Sequence, residues 1–312
     1  MNAKTIFFND FDRLRSGWRL AVFLAVFIFV ALILGLIVVT ILDAFQIPSG
    51  AGSMMFLVVN GAVSLIPALF VGWLCGRFLE GLPYRALGAW FTKYWLTHFV
   101  LGLLIGGVTI GTAVLIAVVL GGLSLEINPN QGSTAILFTL GVSFVIFAVA
   151  AAFEEALFRG YMLQTFARAN LAWLAILLTS VFFGSVHFNN PNAGTISTVN
   201  TILAGIWFGI AYLKTRDLWF VWGMHLMWNW MQGAVFGIEV SGLTDITTAP
   251  LLKELDKGPT WLTGENYGIE GGIACTIAII ISTAAIYFLP ILKPSEEMLA
   301  LTSDEKPMRP HF

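Results

Sequence analysis

Residues 134–158 read TAILFTLGVSFVIFAVAAAFEEALF, from Thr134 to Phe158. At about 1.5 Å per residue this run is long enough, as a helix, to cross roughly 30 Å of hydrocarbon. Its only ionisable residues are two adjacent glutamates, Glu154 and Glu155. Ionisable groups at membrane depth are costly, so each marks a candidate functional position. Arg159 follows Glu155 by four residues, and His187 and His225 fall within the next apolar segments. The cluster reads as the active site of an enzyme buried in a membrane.

The composition agrees with that setting. The 312 residues are 58% hydrophobic and 11% charged, where a soluble domain carries about 25% charged residues. Mean hydropathy is +0.85. A net charge of -2 without a basic stripe or nucleic-acid motif gives no reason to expect a nucleic-acid partner. Cys75 and Cys275 lie in different apolar segments near opposite faces, which predicts packing roles rather than a disulfide. The first apolar run is too long for a signal-peptide core and reads as a retained span.

Working outward from residue 134, the chain offers eight candidate spans: Trp18–Leu42, Met54–Gly76, Leu96–Leu120, Thr134–Phe158, Leu171–Phe188, Ser197–Leu213, Leu218–Gly237 and Gly271–Leu292. The fourth is expected to continue as helix through Arg159–Ala169, partly outside the membrane. With a cytoplasmic N-terminus, Arg159, Arg168, Lys306 and Arg309 join the other inside cations. Only Lys253 and Lys257 of the 16 basic residues fall on the opposite side. The positive-inside rule therefore favours eight spans with both termini cytoplasmic. The expected fold class is all-α: a polytopic membrane helical bundle of about eight transmembrane helices. Residues 1–312 form a single membrane domain with a catalytic core at 134–236. The 238–270 segment, acidic and containing Pro250 and Pro259, reads as an external connector rather than a lid. The expected setting is a multi-pass protein of the cell (plasma) membrane, prokaryotic from its short loops. Its partners are then the lipid bilayer and a membrane-associated protein or peptide substrate.

Helical spacing organises the polar residues. Glu155 and Arg159 are i,i+4 and can pair, while Glu154 points about 100° away. Glu155 and Arg159 are thus assigned to support, and Glu154 to chemistry. Phe183 and His187 share a helix face, as do His225 and Asn229. A turn near Asn170 places Glu154 and His187 at similar depth, each roughly 25 Å from it. A carboxylate and an imidazole can deprotonate a trapped water. A second imidazole and an asparagine amide can stabilise an oxyanion. Those are the parts for amide hydrolysis. Glu154, His187 and His225 are equally a possible ligand set for a divalent metal such as zinc, and the residues alone leave both mechanisms open. No GxSxG or HExxH motif is present. His98, among Tyr94, Trp95 and Phe99, reads as interfacial. Asn200 and Thr201 read as structural, and His311 falls in a polar tail.

Three short motifs carry a resemblance: EExxxR at Glu154–Arg159, FxxxH at Phe183–His187 and HxxxN at His225–Asn229. In this order, over residues 134–236, the chain resembles the CPBP family, the type II CAAX prenyl endopeptidases and their bacteriocin-processing and immunity relatives. The resemblance implies an eight-helix intramembrane endopeptidase, metallo- or glutamate-dependent. In it Glu154 and His187 activate water, while His225 and Asn229 stabilise the oxyanion. Glu155, Arg159 and Phe183 are in support. Two other readings compete: a non-catalytic immunity or scaffold protein of the same fold, and a proton-coupled transporter built on the Glu and His residues. The lack of internal repeats weighs against the transporter.

Overall fold

A computed structural model describes residues 3–47, 54–128, 131–243 and 246–303. His311, Lys306 and Arg309 lie outside the described residues. Among the described residues eight long helices follow the apolar runs: α1 (Ser16–Ala44), α2 (Met54–Glu80), α3 (Trp95–Val119), α4 (Ser133–Glu155), α5 (Ala172–Val186), α6 (Thr195–Thr215), α7 (Leu218–Trp230) and α8 (Ile273–Phe288). α4 runs on through a π-helical stretch, Ala156–Met162, into Leu163–Ala167, so residues 133–167 form one 35-residue rod. α7 likewise continues through a π-helical stretch at Met231–Val235.

Five of these helices are long and apolar enough to cross a membrane: α1 to α4 and α6. α5 and α8 are shorter apolar helices. α1 shows why the solvent here is lipid. Phe29, Leu32 and Leu36 are each more than 60% exposed, and a helix apolar all round with such faces belongs against acyl chains. The protein is a polytopic helical membrane protein.

Contacts between helix ends fix the winding. At one end Glu80 closes α2 and accepts from Arg19 of α1 (3.0 Å) and from Arg168 beyond α4 (2.7 Å). At the same end the Leu218 amide donates to the Gly88 carbonyl, and Arg85 pairs with Glu297, beyond α8, at 3.0 Å. At the other end a strand after α3, β1 (Leu123–Ile127), pairs antiparallel with β2 (Leu252–Asp256) between α7 and α8, with Leu125 opposite Glu254. There too Asn190 Nδ2 donates to the Ser241 carbonyl and Asn192 Nδ2 to the Asn266 carbonyl. Successive helices thus run up and down. A two-stranded antiparallel ribbon thus sits at one end of an otherwise all-helical bundle.

α3 and α7 approach most closely, and glycine allows it. Side chains at Gly102 or Gly106 of α3 would meet the backbone of Phe220 or Met224, and a Cβ at Gly223 of α7 would lie 2.5 Å from the Phe99 carbonyl oxygen. This is small-residue packing of membrane helices. His98 is buried and bonded to Asp217, the residue whose carboxylate caps α7 by accepting from the Phe220 amide. The pair fixes where α7 begins, and with it the height of His225.

Candidate active site

The continuous α4 rod, the end of α5 and the middle of α7 converge on one cavity of about 270 Å³, lined by Glu154, Phe183, His187, His225 and Asn229. The two glutamates diverge as their 100° separation requires. The Glu155 side chain is 1% exposed; the Glu154 side chain is 24% exposed and faces the cavity. Arg159 Nη1 donates to Glu155 Oε1 at 3.2 Å, and Arg159 Nη2 to the Gly205 carbonyl at 3.2 Å. Arg159 sits fully buried in the π-helical stretch. Its guanidinium carbon lies 4.8, 5.1 and 5.7 Å from the ring centroids of Phe183, Phe208 and Phe158. A buried cation held between aromatic faces and a carboxylate loses less on leaving water than a bare one. Phe183 therefore has a definite part: it covers Arg159 and packs its ring 4.7 Å from that of His187.

The two imidazoles are oriented from behind. His187 follows the last residue of α5, and its Nδ1 lies 2.8 Å from the Phe183 carbonyl. A carbonyl only accepts, so Nδ1 carries the hydrogen and Nε2 is left for the cavity. His225 Nδ1 lies 2.9 Å from Glu155 Oε1, which places its Nε2 in the cavity as well. His187 Nε2 is 4.0 Å and His225 Nε2 is 3.9 Å from the same atom, Glu154 Oε2. That oxygen is enclosed and has no hydrogen-bond partner. Asn229 also lines the cavity, one turn beyond His225. The turn near Asn170 lies where the sequence suggests, with Asn170 in the left-handed region at φ 60°, and Glu154 and His187 come level across it.

Residues 136–231 match the Rce1-like family of type II CAAX prenyl endopeptidases. The matched span begins in α4, ends just past Asn229 and takes in all three motifs. α1, α2, α3 and α8 lie outside it. No curated protein matches the chain.

Two side chains at the site escape sequence reasoning. Phe208 stacks on His225, centroids 4.8 Å apart at 25°, and closes the cage over Arg159; inside the apolar run of α6 nothing marks it. Glu270 lines the same cavity from the 238–270 segment, together with Val240, Ser241, Leu243 and Ile246. That segment covers the cavity rather than merely connecting two helices. One acid among several in a loop gives no signal; what finds it is the return of the chain beneath Trp228. Asn200 holds this cover down: its Nδ2 donates to the Glu270 and Gly272 carbonyls, and its Oδ1 accepts from Thr276.

Proposed function

We propose that the protein is an intramembrane endopeptidase that hydrolyses a peptide bond of a membrane-associated protein or peptide with a water activated by Glu154. The reading includes eight crossings with both termini cytoplasmic, in the plasma membrane of a prokaryote. The observation that carries it is the enclosed Glu154 Oε2, without a partner, facing the Nε2 atoms of His187 and His225 at 4.0 and 3.9 Å. Glu154 Oε2 and His187 Nε2 both accept, so they repel one another unless a hydrogen donor lies between them. A water at hydrogen-bonding distance from both ends of such a gap subtends about 90°, close to its own H–O–H angle.

In this reading Glu154 takes a proton from that water, with His187 Nε2 holding the second hydrogen, and the oxygen attacks the peptide carbonyl. The Asn229 amide donates to the resulting oxyanion, and so does His225 Nε2 when His225 carries hydrogen on both nitrogens. Glu155 accepts from the other imidazole nitrogen, and Arg159 balances the Glu155 charge. The proton held on Glu154 passes to the departing amine. One water is consumed, and the products are an acid and an amine.

The same three side chains are of the right chemistry for a divalent metal such as zinc, which when bound makes water more acidic. Their spacing does not fit it as they stand. Tetrahedral ligands at about 2.0–2.1 Å lie about 3.4 Å from one another, against 3.9–4.0 Å here. Among the described residues no three His, Cys, Asp or Glu side chains form a metal-ready group. No step is therefore routed through a metal.

The test is cleavage of membrane-held peptides by purified Glu154→Ala and His187→Ala variants, with their melting temperatures measured alongside. Loss of cleavage with folding retained is expected. Normal cleavage in both removes the catalytic assignment.

A further inference from the structure

The cavity contains a second carboxylate that the hydrolytic steps do not use. Glu270 Oε2 accepts from the Ser241 amide (2.6 Å) and hydroxyl (2.8 Å), and Oε1 accepts from Trp228 Nε1 (3.0 Å). Three donors hold this carboxylate in place at the cavity wall. The buried carboxylates at the helix ends and in the core each have a basic partner: Glu80 has Arg19 and Arg168, Glu155 has Arg159, and Asp217 has His98. Among the described residues Glu270 has none, and it faces the cavity instead. A fixed anion in a low-dielectric pocket without a counter-ion attracts a cation.

Its place is defined by Trp228, three residues beyond His225 on α7 and so about 4.5 Å further toward the end that bears the β-ribbon. An extended peptide advances about 3.3 Å per residue. A chain cut at Glu154 thus brings a residue within about four positions of the scissile bond to Glu270.

We infer that Glu270 is a specificity-determining subsite, which receives a cationic nitrogen of the substrate, a Lys or Arg side chain, on the ribbon side of the cut bond. The inference rests on the endopeptidase reading and deepens it.

The test uses a synthetic library of randomised dodecapeptides in detergent micelles, each with a C-terminal alkyl chain, half with free and half with acetylated amino termini. Wild-type protein and the Glu154→Ala and Glu270→Gln variants are incubated with it, and cut sites are read by mass spectrometry. Wild type is expected to show Lys and Arg enriched at one fixed position within about four residues of the cut, equally in acetylated peptides. Glu270→Gln loses that enrichment. Independently of how that variant folds, replacing the selected Lys by norleucine in one cleaved peptide lowers wild-type kcat/KM about tenfold or more, as for a lost charged hydrogen bond. Equal cleavage of the Lys and norleucine peptides overturns the inference while leaving the peptidase reading intact. Enrichment confined to free amino termini also overturns it, assigning the subsite to a terminal amine. If wild type cuts nothing that Glu154→Ala leaves whole, the peptidase reading falls and the subsite with it.

Discussion

Gly223→Ala tests how the fold sets the site, because Gly223 touches no proposed catalytic group. Its missing side chain is where α7 meets α3. A Cβ there lies 2.5 Å from the Phe99 carbonyl oxygen and 2.9 Å from the Leu103 nitrogen, both backbone atoms. An ordinary carbon–oxygen contact is about 3.4 Å, so α7 must back away from α3 by about 0.9 Å. His225 is two residues on, about 200° around the helix. It therefore faces away from α3 and is carried into the cavity by that shift, against a His225–Glu154 separation of 3.9 Å. Misplacement of about 1 Å in a catalytic group costs on the order of 100-fold in rate, and overpacking of this kind costs about 1–3 kcal/mol of stability. The assay compares kcat/KM on a membrane-held peptide and melting temperature for wild type, Gly223→Ala and Gly111→Ala. Gly111, on α3, has no atom within 4 Å of where its Cβ would be, so it controls for adding a methyl group. The expected result is a folded Gly223→Ala with rate lowered far beyond its loss of stability, and an unaltered Gly111→Ala. A Gly223→Ala rate equal to wild type refutes the claim that this packing sets the position of His225.

Three other outcomes follow from the geometry. Asn229→Ala is expected to lower kcat by about 100- to 1000-fold with KM little changed, because its amide acts on the oxyanion and not on the bound peptide; a change confined to KM counts against that role. Arg159→Ala leaves Glu155 buried without its cation and is expected to cost about 3–5 kcal/mol, read as a large fall in melting temperature; retained stability counts against the buried ion pair. Burial, with Glu239 and then Asp256 nearby, pushes the Glu254 carboxyl from 4.5 up to about 8. Between those values the folded state holds a proton that the unfolded state has released, so stability falls as pH rises through that window and is level above it. Glu254→Gln is expected to raise stability at pH 8 by about 1–3 kcal/mol and to change little at pH 4, and parallel melting profiles for the two proteins contradict this.

Much of this architecture is legible in the sequence because lipid imposes simple rules. Every long apolar run became a helix, since backbone groups at membrane depth must bond within their own segment. Glu154 and His187 came level because both are counted from one turn at Asn170. The adjacent glutamates had to point apart, and Arg159 four residues on could serve only one of them. What stayed hidden depends on contacts that no local pattern encodes. The His98–Asp217 pair joins residues 119 positions apart, so His98 among aromatics resembles an ordinary interfacial residue. Glycines at 102, 106 and 223 are common in membrane helices and reveal their partner only when α3 and α7 are placed together. Phe208 has no polar mark, and the 238–270 segment is acidic like any loop until Ser241 and Trp228 are seen to hold Glu270. The aromatic cage over Arg159, from Phe158, Phe183 and Phe208, likewise draws on three separate segments and has no local signature.

The account rests on Glu154 as the group that activates water, and the most direct measurement is peptide cleavage by Glu154→Gln in ¹⁸O-labelled water. Glutamine keeps the size of the side chain and removes its ability to take the proton. Wild type is expected to yield new carboxyl termini that carry ¹⁸O, and Glu154→Gln, folded to the same melting temperature, to yield none. Labelled termini formed by Glu154→Gln at the wild-type rate would contradict the account.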